Sequence, residues 1–119
     1  MSKLQSLMIL THSLTLAEKR AFSIRTNRNK AKTDYMVLYN IIEQNREFSQ
    51  ASILAEFLKK KPGASVETTI KYLYELLLEV MLELKKEQDS FYLLFNKIMK
   101  ARILFEKSLF DECFGMIAD

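Results

Sequence analysis

The chain has 119 residues, 49% hydrophobic and 28% charged, a composition that fits one soluble globular domain able to bury about two thirds of its unfolded surface. Two glycines (Gly63, Gly115) and one proline (Pro62) leave little material for β-turns or for a glycine-rich phosphate loop, and the single cysteine, Cys113, excludes an internal disulfide. The net charge of +3 conceals an asymmetry: residues 1–33 hold seven of the 18 basic residues and one of the 15 acidic ones, a net of +6, so the remainder nets −3. A basic end on a mildly acidic body predicts an electrostatic contact, with an outside anion or with the chain's own acidic face.

Seven helical segments follow in order. The first spans Lys3 to Leu10, with Leu4, Leu7, Met8 and Leu10 inward. The second opens on the capping box Thr15-Leu-Ala-Glu18, runs to Arg25, and is expected to bury Leu16, Phe22 and Ile24. Thr26 to Lys32 reads as a polar, basic loop. A third helix covers Asp34 to Asn45, with Tyr35, Leu38, Tyr39 and Ile42 at the i, i+3, i+4, i+7 spacing of one face. Ser49 caps a fourth, carrying Ile53, Leu54, Phe57 and Leu58, which stops at Lys61-Pro62-Gly63 because proline disfavours helix in the residue before it.

Ser65 caps the longest segment, Val66 to Lys86, in which Ile70, Leu73, Leu77, Val80 and Leu84 form a seam that Tyr72, Tyr74, Leu76, Leu78 and Met81 widen. So broad an apolar surface predicts a central helix covered on at least two sides. The sixth segment, Ser90 to Glu106, carries Phe91, Leu94, Phe95, Ile98, Ala101 and Phe105; the seventh runs from Leu109 to Ala118. With no strand-like alternation beside these patterns, the fold class is all-α, about seven helices in one domain over residues 1–119, as a helical-hairpin array or an irregular bundle.

The inventory for catalysis is thin. The one histidine, His12, stands in a Thr-His-Ser segment with no nearby cysteine and no acid–nucleophile pattern, and reads as a structural residue near a helix end. Glu67, Glu75, Glu79, Glu83 and Glu87 recur at multiples of four, but a helical di-metal site needs a Glu-x-x-His partner, so a solvated acidic face is the better reading. Cys113 lies on an apolar stripe and reads as packing. The expectation is therefore no enzyme, no cofactor and no metal. One segment stands out: Lys19, Arg20, Arg25, Arg28, Lys30 and Lys32 make six of the fourteen residues from 19 to 32 basic, with no acid among them. Such a cluster could contact phosphates, yet no recognition helix with a basic, amide-rich face accompanies it, which weighs against nucleic acid as the partner.

The C-terminal stretch Ala101-Arg-Ile-Leu-Phe-Glu-Lys-Ser-Leu-Phe-Asp-Glu-Cys113 resembles a tetratricopeptide repeat: a small residue, an aromatic-apolar pair, a short turn, an aromatic, then a small residue in the second helix. Ser108 stands where such repeats often have glycine, Cys113 where alanine is usual, and Lys97 where tryptophan is usual, so residues 90–119 form a degenerate and incomplete hairpin of this type. Together with Leu14 to Phe22, Asp34-Tyr35 through Tyr39, and Lys71 to Leu78, the chain resembles the N-terminal helical region of uncharacterised tetratricopeptide-repeat-like proteins of Bacteroidetes-type bacteria. The resemblance implies architecture only, a helical-repeat scaffold with a capping end, and carries over no activity.

The expected function is accordingly a non-enzymatic protein–protein interaction module, the N-terminal capping part of a helical-repeat scaffold, with a nucleic-acid-binding domain using residues 19–32 as the alternative. A repeat that stops inside its second helix is expected to lack a neighbour. Leu109, Phe110, Phe114, Met116 and Ile117 would then be left uncovered, and the chain is expected to form a homodimer through this hairpin. No stretch is apolar enough for a membrane span, and with the lone cysteine this places the expected location in the cytoplasm.

Overall fold

In the computed structural model, residues 2–26 and 33–118 are described, and they form seven α-helices with no strand among them: α1 (Lys3–His12), α2 (Leu16–Thr26), α3 (Asp34–Gln44), α4 (Gln50–Lys60), α5 (Val66–Gln88), α6 (Ser90–Glu106) and α7 (Phe110–Ala118). The basic residues Arg28, Lys30 and Lys32 lie outside the described part. The helix starts follow the local chemistry. At the capping box the Thr15 amide donates to Glu18 Oε1 at 2.8 Å while the Glu18 amide donates to Thr15 Oγ1 at 3.2 Å. Ser49 accepts from the Ser52 amide, and Ser65 from that of Thr68. Two further caps, Ser2 on α1 and Asp89 on α6, complete the set.

Contacts divide the chain into two compact units, Met1–Met81 and Leu82–Asp119, with the boundary inside α5. The first unit holds the hydrophobic core. Leu4 and Leu7 of α1, Phe22 of α2, Leu38, Tyr39, Ile41 and Ile42 of α3, Ile53 and Phe57 of α4, and Ile70, Leu73, Leu76, Leu77 and Val80 of α5 close into one cluster. The Phe22 and Tyr39 rings meet with centroids 4.5 Å apart. Three buried threonines, Thr11, Thr26 and Thr69, satisfy their hydroxyls by donating to the carbonyl four residues back, at 2.7–2.8 Å.

Several expected core positions are not in the core. Leu16 and Ile24 of α2 are 65% and 75% exposed. At 100° per residue, Ile24 points about 200° away from Phe22, so the face that buries Phe22 and Thr26 turns it to solvent. Leu58, next to the fully buried Phe57, is turned out in the same way. Helix α5 buries one broad stripe and exposes Leu78 and Tyr72 on its other side, where the Tyr72 ring packs on Tyr35 with centroids 5.1 Å apart. Conversely, Ile41 adds an inward contact outside the expected face of α3.

The second unit is built differently. Helices α6 and α7 form a hairpin whose only buried residues are two small ones, Ala101 and Cys113, 3% and 4% exposed. The apolar stripe of α6, with Phe91, Leu94, Phe95, Ile98 and Phe105, is open, and so are Phe110 and Ile117 of α7.

Candidate functional site

The hairpin is set by its turn. After Glu106 the Ser108 amide donates to the Phe105 carbonyl and the Leu109 amide to the Leu104 carbonyl, at 3.0 and 2.8 Å, the paired bonds of a Schellman motif. That motif needs a left-handed residue, and Ser108 supplies it with φ 63°. It is the position at which glycine is usual in the repeats this stretch resembles, because a side chain there crowds the following carbonyl. Asp111 and Glu112 then occupy the first turn of α7, where the helix dipole favours acids. The Phe105 and Phe110 rings bracket the turn edge to face, centroids 5.2 Å apart.

With the two backbones drawn together at Ala101 and Cys113, the larger side chains stand on either side of the contact and leave a groove. Ile98, Ala101 and Phe105 of α6 line one wall, and Cys113, Phe114 and Ile117 of α7 the other; the volume is about 490 Å³. Arg102 at the rim is the one polar residue of the lining, and its guanidinium is turned to Glu106, Nε to Oε1 3.1 Å. Of the five residues expected to self-associate, Phe114 and Ile117 are in the groove, and Phe110 is held by Phe105 and, like Leu109, is about half exposed. Met116 lines a separate depression with Lys97, Asp111, Glu112 and Gly115. Ile98 and Phe105, apolar residues of the sixth segment that were not named as site residues, form the opposite wall; the small residues Ala101 and Cys113 were the signal that α6 and α7 meet there.

The basic segment is dispersed among internal partners where it is described. Lys19 Nζ lies 2.8 Å from Glu43 Oε1, and Arg25 lies 3.3 Å from Glu79 Oε2. Arg20 is exposed and has no ion-pair partner among the described residues. The Glu43 carboxylate, besides holding Lys19, stands near Tyr39, whose hydroxyl is pushed above its ordinary pKa first by burial and second by that negative charge. His12 closes α1 by placing Nε2 3.0 Å from the Ile42 carbonyl, which fixes a proton on that nitrogen and makes it a tie between α1 and α3.

A second, smaller cavity of about 160 Å³ lies in the first unit between the Tyr35–Tyr72 pair and the Arg25–Glu79 ion pair, with Glu75 on its edge. Among the described residues no three His, Cys, Asp or Glu side chains gather around a point where a metal ion could sit. Nor is any described helix long and apolar enough to cross a membrane. No protein-family profile, curated protein sequence or solved structure matches the chain.

Proposed function

We propose that this chain is a non-enzymatic protein–protein interaction module that takes an apolar helical segment of a partner on its α6–α7 hairpin. The observation that carries the reading is the groove of Ile98, Phe105, Phe114 and Ile117, about 490 Å³ and apolar but for Arg102 at its rim. An amphipathic helix laid into such a groove would bring side chains at i, i+3 or i+4, and i+7 into it, the usual mode of helix-in-groove recognition. The resemblance of Ala101 to Cys113 to a tetratricopeptide repeat supports the same reading, because a stacked repeat buries its hairpin against the next helix. The ion pairs of Lys19 and Arg25 with Glu43 and Glu79 weigh against a phosphate-binding use of these two residues.

The test is fluorescence anisotropy with a labelled leucine-rich amphipathic peptide, a scrambled control and a labelled DNA duplex. The expected result is binding of the amphipathic peptide that survives about 0.5 M salt, where exposed charge contacts are screened, and that Phe114→Glu removes. Submicromolar duplex binding at physiological salt, with no peptide binding, would overturn the proposal in favour of the nucleic-acid reading.

A further inference from the structure

We infer that the occupant of the hairpin groove is a second copy of this chain, two hairpins packing face to face about a two-fold axis into a four-helix arrangement. The inference rests on the interaction-module reading and names its partner. Area is the first argument. Leu94, one turn before Ile98, with Ile98, Phe105, Phe110, Phe114 and Ile117, are each 44–63% exposed. At about 200 Å² for a full side chain of this size, they offer roughly 600 Å² of apolar surface. That is at the upper end of what a monomer exposes, and it matches the apolar share of one side of a standard homodimer interface, about 800 Å² per partner.

Shape is the second argument. An isologous contact requires projections and hollows on the same surface. This face has both: Phe114 and Ile117 project, and the small pair Ala101 and Cys113 forms the floor between the walls. The projecting rings of one copy meet the floor of the other, and the reverse holds by symmetry.

Third, the hairpin has a reason to need this partner. It buries no large side chain of its own, and isolated helices of this length are marginal in water without tertiary packing. Two hairpins together make the core that one lacks.

The experiment combines sedimentation equilibrium from 1 to 200 µM with hydrogen exchange at both ends of that range. It uses the wild type, Phe114→Glu, Ile98→Glu, and a Phe114→Ala/Ile117→Ala double variant that introduces no charge. The expected result is a dimer with a dissociation constant of about 1–50 µM. Amide protection of α6 and α7 should rise with concentration, and each variant should weaken association at least tenfold while the near-ultraviolet tyrosine signal of the first unit is unchanged. A dimer that all three variants leave intact would overturn the inference, since its interface would lie elsewhere. A wild type that stays monomeric at 200 µM, with α6 and α7 unprotected and the amphipathic peptide still bound, would overturn self-association and leave the interaction module standing. A monomer with α6 and α7 protected and no peptide binding would overturn both.

Discussion

Leu77 is the position at which the reading of the core is most exposed to test. It lies in the middle of α5, fully buried, within the cluster that joins five helices of the first unit. Truncation to alanine removes three carbons from a site whose neighbours, Leu73, Leu76 and Val80, are fixed along the same helix and cannot close the gap. Leucine-to-alanine changes in such settings cost about 2–5 kcal/mol through lost transfer energy plus the residual cavity, and full enclosure places Leu77→Ala at about 3 kcal/mol or more. For a cooperative unit of about 80 residues that lowers Tm by roughly 12–25 °C, since each kcal/mol is worth about 4–8 °C. Glu79, two residues on, provides the control. Its ion pair with Arg25 spans 3.3 Å, but the two side chains are 62% and 47% exposed, so Glu79→Ala should cost under about 1 kcal/mol. Urea unfolding followed by far-ultraviolet circular dichroism separates the two, provided the slope of the transition is unchanged. Equal losses for the two variants, or a loss under about 1 kcal/mol for Leu77→Ala, would refute the assignment of helix faces.

Three further outcomes follow from particular contacts. Lys19→Ala leaves the Glu43 carboxylate, three quarters buried, without its 2.8 Å partner and should cost about 1 kcal/mol in urea unfolding, whereas Arg20→Ala on the exposed side of α2 should cost less than about 0.5 kcal/mol. Ser108→Gly relieves a left-handed side chain and should stabilise the α6–α7 hairpin by about 0.5–1 kcal/mol, read as added amide protection in that hairpin; a loss of protection would mean that the serine hydroxyl contributes more than the strain costs. Tyr39 sets an alkaline limit. Because burial and Glu43 raise its pKa in the folded chain above the ordinary 10, the folded state holds this proton more tightly than the unfolded state. Its contribution is therefore complete below pH 10 and is lost as pH climbs through the folded pKa, so a stability–pH curve should fall above 10, and fall less steeply in Tyr39→Phe.

The places of the helices and the way they begin were legible in the chain itself. Thr15 and Glu18, Ser49 and Ser65 cap α2, α4 and α5 through bonds that span three residues, and Pro62 bars α4 from continuing. These are local effects, fixed by side chains close along the chain, and the i, i+3, i+4, i+7 pattern that buries Leu38, Tyr39 and Ile42 is equally local. The turn at Ser108 was marked by the repeat resemblance, while its left-handed backbone, φ 63°, is a finding of the structure. Which apolar faces find a partner depends instead on long-range packing. Phe22 and Ile24 are both apolar residues of one helix, yet one is enclosed against Tyr39 and the other faces solvent, because helix position is periodic and only one side of α2 meets α3. Phe105 likewise lies on an apolar stripe by spacing and stands instead on the wall of a groove, opposite Phe114. A hydrophobic pattern records that a surface is to be covered; whether the cover comes from the same unit or from another molecule depends on which residues distant in the chain arrive there, and that is set by packing.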